Sequence, residues 1–140
     1  MKKFDYFVEK GVVKKRLPDL ARADSLVKEA SRKSEFLKTV LTKIGICDEN
    51  ANDVIESCHD IIMNLIRVKM FREGFFASGF SAHEAEVSFL EKFDFSGEEI
   101  YFVDKLRYFR NGMLYYGKKF DKEYAMRVLS FLEKVQEKLK

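Results

Sequence analysis

The stretch LARADSLVKEASRKSEFLKTVLTKI, residues 20–44, decides the fold class. Its apolar or small residues recur at alternating steps of three and four, which is the period of one face of an α-helix. Gly45 follows and is well placed to end that helix. The stretch therefore predicts a long helix that packs against a neighbour through one face, made of Leu20, Ala23, Val27, Ala30, Ser34, Leu37, Leu41 and Ile44.

The rest of the chain shows the same helical period. A wide apolar face over residues 54–68 predicts a central helix that begins near Asp48 or Asn50. Two Ser-x-x-Glu signatures, Ser81–Glu84 and Ser96–Glu99, predict capping boxes that open two further helices. The first of these helices is expected to end near residue 93.

Short connections join these helices, and residues that commonly begin a helix stand at the start of two of them. Pro18 is expected in the first turn of the helix over residues 20–44, and Asp121 is expected to cap the last helix. No segment shows the alternation of a β-strand. Since short connections between long helices are typical of antiparallel neighbours, we predict an all-α, up-and-down bundle of four to five helices. The bundle is expected to form one domain, residues 1–140.

Composition narrows the class of protein. The chain is 46% hydrophobic with 14 Phe, which is enough for a packed core. It has no apolar run near the roughly 18 residues that span a bilayer and no signal-peptide core, so we expect a cytoplasmic protein with no membrane partner. Cys47 and Cys58 are expected to be free thiols. The net charge of +3 permits a nucleic-acid partner without requiring one.

The most informative stretch is RYFRNGMLYYG, residues 107–117. Arg107 and Arg110 are three residues apart and share one helix face, where their guanidinium groups suit phosphate oxygens. Phe109, Met113 and Tyr116 are expected to point inward. The alternative is an ordinary surface, with Arg107 paired to Asp104 and the tyrosines in the core.

Arg110–Gly117 resembles the signature of HEPN domains, small helical bundles common in prokaryotic defence and toxin–antitoxin systems. That signature is an Arg, usually followed by Asn or another polar residue, and then a His a few residues later. The chain is similar in particular to an archaeal HEPN subgroup that has an Ala-His-Glu-Ala-Glu stretch, here Ala82–Glu86, before the Arg-Asn-Gly stretch. The helical layout extends the resemblance over essentially the whole chain.

In HEPN ribonucleases, the Arg and His of two subunits meet in a cleft at a homodimer interface and cleave RNA without a metal. The resemblance therefore implies a homodimer that binds RNA or a nucleotide, with Arg110 stabilising phosphate and Asn111 in the adjacent polar role. The chain departs from the signature at the His position, where it has Tyr115 followed by Tyr116. A phenol has an ordinary pKa near 10, so it is a poor base beside an imidazole, and cleavage stays open at this point.

Three other residues compete for roles in this site. His83 is a candidate for the missing imidazole, although it could also border the core while Glu84 caps its helix. His59 has apolar neighbours one turn away and is expected to be a semi-buried histidine. Asp60 could orient Arg110, or it could belong to a solvated helix face. The candidate catalytic residues are Arg110, Asn111, Tyr115, Tyr116 and His83, and the candidate RNA-binding or nucleotide-binding residues are Arg107, Arg110 and Asp60.

We expect no metal and no cofactor, because the chain has no HExxH and no CxxC and His83 and Glu86 form only a fragment of a carboxylate-bridged site. The leading hypothesis is an HEPN-type protein that binds RNA or nucleotides, with metal-independent RNA cleavage as the implied reaction. The alternative is a non-catalytic interaction module, such as a toxin–antitoxin-type partner of a nucleotidyltransferase. The basic run Lys14–Arg16 could contact phosphates or simply face solvent.

Overall fold

The computed structural model describes the backbone of all 140 residues and the side chains of all except Met113, Leu114 and Tyr115. Six α-helices, one 3-10 helix and two short strands make up this backbone. The predicted all-α bundle is confirmed, although it has more α-helices than the four to five expected, because the short Phe4–Glu9 segment is also helical. The elements are, in order, α1 (Phe4–Glu9), β1 (Val13–Lys15), α2 (Leu20–Lys43), α3 (Ala51–Glu73), β2 (Phe75–Ala77), α4 (Ala82–Ser88), the 3-10 helix η1 (Phe89–Phe93), α5 (Gly97–Tyr115) and α6 (Lys122–Lys138).

Helix α3 forms the centre of the bundle and packs against α2, α5 and α6. It is buried around most of its circumference, as the wide apolar face over residues 54–68 predicts. It begins directly after Asn50, which confirms its expected start. Two polar residues of α3, His59 and Asn64, are buried as well, so the core has a polar edge on this helix. None of the described helices is long and apolar enough to cross a membrane.

The contact face of α2 is narrower than its sequence indicates. Ala23, Ala30 and Leu37 are buried, whereas Leu20, Val27 and Ile44 are exposed. The buried positions are spaced one heptad apart, and the two alanines let α2 lie close to α3. Because α2 packs chiefly on α3, one thin stripe meets its neighbour and the flanking apolar residues remain in solvent.

Strands β1 and β2 correct the expectation that the chain has no strand. They pair antiparallel, with Val13 opposite Ala77, and at three residues each they are too short to show an alternating pattern. Gly74 ends α3 in the left-handed region at φ 81°, and its carbonyl oxygen accepts a hydrogen bond from the Arg16 backbone N–H at 2.7 Å. This contact holds the chain before α2, where Pro18 precedes the Asp19 cap instead of lying in the first turn.

Two of the three predicted side-chain caps are present. Ser96 and Glu99 form a complete capping box at α5, and Asp121 accepts a hydrogen bond from the Tyr124 backbone N–H at 2.8 Å. The capping box predicted at Ser81 is wrong, because that side chain makes no capping hydrogen bond. The Ser81 ψ of 13° differs from the extended backbone of a normal capping residue, so its hydroxyl does not meet the first free N–H groups.

Candidate functional site

A polar cleft of about 350 Å³ opens at the edge of the core, between α2, α3, α4 and α5. It brings together most of the residues that the sequence singled out, from helices that lie far apart in the chain. The lining residues are Lys33, His59, Asp60, Met63, Asn64, Arg67, His83, Arg107, Arg110 and Asn111. The cleft is therefore the candidate functional site.

Arg110 is held between two carboxylates of α3 without being saturated by them. Its Nη2 lies 3.5 Å from Oε1 of Glu56, and its Nε lies 3.8 Å from Oδ1 of Asp60. The Nε atom is buried and has no hydrogen-bond partner among the described atoms. The two carboxylates orient the guanidinium electrostatically, and its donors remain available to a ligand.

Arg107 lies one helical turn before Arg110 and also lines the cleft. The predicted alternative, an ion pair with Asp104, is not among the salt bridges of the described side chains. Asp104 instead faces His83, with its Oδ1 at 3.6 Å from the ring Nδ1. Asn111 also lines this cleft.

Two histidines line the cleft and contact each other. Nε2 of His59 and Nε2 of His83 lie 3.2 Å apart, so one ring donates its proton to the other. On the outer side of each ring, Nδ1 of His59 lies 3.6 Å from Asp60, and Nδ1 of His83 lies the same distance from Asp104. Both Nδ1 atoms are buried without a hydrogen-bond partner among the described atoms. We call the four residues Asp60, His59, His83 and Asp104 the histidine row.

The surroundings of His83 and Asp104, at one end of the histidine row, favour the uncharged form of each side chain. Burial, together with the nearby His59, Arg107 and Arg67, lowers the pKa of His83 to about 3. Burial also raises the pKa of Asp104 above its ordinary value. At neutral pH, His83 is therefore an uncharged imidazole.

Asp60, at the other end of the histidine row, is negatively charged. Burial acts to raise the pKa of Asp60, but the His59 ring together with Lys33 and Arg110 outweighs burial and lowers it. Lys33 reaches the same carboxylate from α2, with its Nζ at 3.8 Å from Oδ2. The ionised carboxylate therefore places a negative charge beside the His59 ring.

Arg67 and Glu86 close one side of the cleft with an ion pair that the sequence did not indicate. Their partnership joins α3 to α4 across 19 residues, so no local pattern reveals it. His59 was expected to be semi-buried, and it is only 6% exposed, but its role as partner of His83 was missed. The one available signal was its position next to Asp60 on the polar edge of α3.

Tyr116, just after the end of α5, does not line the described cleft. Tyr116 is the C-terminal cap of α5 and is 86% exposed, so the expectation that it points inward is wrong. The helix ends at Tyr115, and Gly117 turns the chain at φ 66°, which carries Tyr116 out of the helical stripe. The predictions for the side chains of Met113 and Tyr115 fall outside the described residues.

The function of the cleft is not indicated by a metal site among the described residues or by similarity to known proteins. Among the described side chains, no group of three His, Cys, Asp or Glu residues could hold a metal ion. No protein-family model, curated protein or solved structure matches the chain. The resemblance to HEPN proteins stays a prediction, and the residues of the cleft itself bear on its function.

Proposed function

We propose that the cleft binds the phosphate groups of RNA or of a nucleotide. The observation that carries the proposal is the pair of cleft arginines, Arg107 and Arg110, one turn apart on α5. Among the described side chains, Arg107 belongs to no salt bridge, and Arg110 keeps a buried Nε without a hydrogen-bond partner. Guanidinium groups with free donors match the geometry of phosphate oxygens.

The charge and size of the cleft support a phosphate ligand. Among the described side chains, four cations line it, those of Lys33, Arg67, Arg107 and Arg110. One carboxylate, that of Asp60, lines it as well, and two more, those of Glu56 and Glu86, pair with Arg110 and Arg67. A volume of about 350 Å³ falls at the lower end of the range for small-ligand sites, roughly 300 to 1,000 Å³. The cleft therefore has room for about one nucleotide.

Asn64 supplies a further reason to expect a polar ligand. Its side chain lines the cleft from α3, and its Nδ2 is buried without a hydrogen-bond partner among the described atoms. A buried amide of this kind costs free energy unless a partner satisfies it. The edge of a base or a sugar hydroxyl would supply the missing acceptor.

RNA cleavage is the second candidate function, and the histidine row favours it. In metal-independent cleavage, the ribose 2′-oxygen bonds to the adjacent phosphorus, the P–O5′ bond breaks, and a cyclic phosphate remains. The histidine pair can accept the 2′-hydroxyl proton at one ring and return a proton to the leaving 5′-oxygen, and the low pKa of His83 leaves the accepting role to His59. The two Nε2 atoms face each other in the free protein, so the substrate has to replace one partner. This chemistry needs neither Tyr115 nor Tyr116.

Binding is tested with a fluorescent single-stranded RNA in EDTA. We expect Arg110→Ala to weaken binding at least about tenfold, the effect of losing a charge-assisted hydrogen bond. Arg32→Ala is the matched control, since Arg32 is an exposed arginine paired with Glu29 outside the cleft. Arg110→Lys keeps the charge and should restore only part of the affinity. Equal affinities for the wild type and Arg110→Ala would refute the proposal.

Cleavage is tested separately on the bound RNA. We expect His83→Gln and His59→Gln each to abolish product formation while RNA affinity stays within a few-fold of the wild type. An all-deoxy strand of the same sequence should remain intact, since it lacks the 2′-hydroxyl. Binding without cleavage would favour the interaction-module hypothesis, and co-purification from the native organism would then show whether a nucleotidyltransferase is the partner.

We also propose that a second copy of the chain packs on the outer face of α5. Tyr101 and Tyr108 lie two turns apart there, 51% and 65% exposed, beside the cleft residue Arg107. Exposed tyrosines on one helix face are typical of protein interfaces. Sedimentation equilibrium should show a dimer that Tyr108→Glu converts to a monomer. A monomeric wild type would contradict this arrangement. Such a homodimer would act in the cytoplasm.

A further inference from the structure

A second cavity adjoins the cleft and is larger, about 980 Å³ against 350 Å³. It lies between the β1–α2 connection, the end of α3, strand β2 and α4. Arg67 lines both cavities, and its partner Glu86 lines the second. The two spaces are therefore neighbours separated by one ion pair.

The fold holds the basic segment of this cavity in place. Strand β1 carries Lys14 into the pairing with β2, and the Arg16 backbone N–H donates to the carbonyl of Gly74 at 2.7 Å. Just before α2 begins, the Asp19 backbone N–H donates to the carbonyl of Phe71 at 3.0 Å. Lys14 and Arg16 are thus part of the cavity wall and not of a free arm.

The positive charges of this cavity are not neutralised by neighbours. Among the described side chains, none of Lys14, Arg16 and Arg22 belongs to a salt bridge. Of the described side chains that line the cavity, two are carboxylates. Asp19 caps α2 by accepting the Arg22 backbone N–H, and Glu86 is paired with Arg67. The cavity therefore presents an excess of cationic donors.

One of these cations, Arg22, packs on an aromatic ring. The Arg22 guanidinium lies over the ring of Phe71, with its Cζ at 4.4 Å from the ring centroid. Phe76 of β2 lines the same cavity. A guanidinium held over an aromatic ring keeps its N–H edge free, and its outer face can stack on a base.

We infer that the second cavity binds the backbone phosphates next to the nucleotide held in the cleft, so that the ligand is a single-stranded RNA segment of several nucleotides. This inference rests on the proposed function of the cleft. The cleft alone has room for about one nucleotide, and the unneutralised cations continue past Arg67 into the larger cavity. A single strand can bend into such a recess and stack its bases on arginine planes.

The test compares a short and a long ligand on Lys14→Gln/Arg16→Gln. We expect this variant to bind a single-stranded RNA of about twelve nucleotides at least about tenfold more weakly, and to bind a dinucleotide as the wild type does. The slope of log affinity against log salt should fall by about 1.4, since each lost phosphate contact on a single strand contributes about 0.7. Glutamine leaves the backbone hydrogen bond of Arg16 intact.

The matched control is Lys119→Gln/Lys122→Gln, which removes two exposed charges that line neither cavity. If both double variants bind the long RNA equally well, the inference is overturned while the cleft proposal stands. Arg110→Ala should weaken binding of both ligands. A wild-type protein that binds neither ligand would overturn the proposed function together with the inference.

Discussion

Arg67 and Glu86 form a two-pronged ion pair on the boundary between the two cavities. The arginine Nε donates to Oε2 at 2.8 Å, and Nη2 donates to Oε1 at 3.2 Å. Glu86 is only 8% exposed, so the buried carboxylate fixes the position of the more exposed guanidinium. Arg67 is thus a rigid cation shared by both spaces.

The Glu86→Gln variant removes the negative charge of this ion pair but keeps a side chain of the same shape. We expect Glu86→Gln to raise the affinity for single-stranded RNA several-fold, because it removes a negative charge close to the proposed phosphate-binding residues. The free energy of unfolding should fall by about 1 kcal/mol, because a neutral amide accepts weaker hydrogen bonds from Arg67. Fluorescence anisotropy and urea unfolding measure the two effects. Glu137→Gln, at an exposed position, is the control, and weaker RNA binding by Glu86→Gln would contradict the prediction.

The low pKa of His83 predicts that acid destabilises the protein before its carboxylates titrate. The unfolded His83 takes up a proton near pH 6.5, but the folded one does so only near pH 3, so the unfolded state binds more protons between these values. The stabilisation is complete above pH 6.5 and is lost as the pH falls toward 3, by up to about 1.4 kcal/mol per pH unit.

Urea unfolding of the wild type and His83→Gln between about pH 5 and 7 measures this effect. The variant should show a shallower dependence of the free energy of unfolding on pH, because glutamine does not titrate. Equal slopes for the two proteins would show that His83 takes up its proton equally readily in the folded and unfolded states.

Gly74 should tolerate no side chain. It has a positive φ of 81°, and a Cβ atom there would lie 2.1 Å from the Arg16 carbonyl oxygen. We expect Gly74→Ala to lower the free energy of unfolding by at least about 2 kcal/mol, since backbone strain and the clash add. Gly11→Ala is the control, because Gly11 has a similar φ of 74° and open space around it. If the free energy of unfolding falls equally in both variants, the close approach of the Arg16 carbonyl oxygen adds nothing to the destabilisation.

The two cysteines should differ in reactivity. Burial raises the pKa of Cys58 to about 12, with the charge of Glu133 adding to the shift, so its reactive thiolate is scarce at neutral pH. Cys47 is partly exposed. A thiol reagent should therefore label one cysteine in the native protein and two in urea, and Cys47→Ser should remove the native reaction. Native labelling of that variant would be inconsistent with the packing around Cys58.

The sequence predicted the long helices well because their signals are local. Apolar periodicity located α2 and α3, and the caps at Ser96 and Asp121 depend on residues three positions away. Strands β1 and β2 were missed because a three-residue strand leaves no pattern, and its partner lies far along the chain. Ser81 shows that a capping signature fails when the backbone before the helix is not extended.

The candidate site was predictable only in part. Arg107 and Arg110 could be grouped because helix geometry puts residues three apart on one face. The contact between His59 and His83 depends on how α3 and α4 are placed, and neither neighbourhood in the sequence indicates it. Tyr116 was misplaced because the apolar stripe of α5 was extended one residue past Tyr115, where the helix ends.

The pairing of Val13 with Ala77 also bears on the order in which the protein folds. Helices α2 and α3 adjoin in the chain and can form a hairpin early, whereas this strand contact closes a much longer loop. We expect the amide hydrogens of β1 to exchange with solvent sooner than those of α3, because the short sheet can open while the bundle remains intact. Opening it would release Lys14 from the second cavity, so long RNA would slow exchange in β1 and a dinucleotide would not.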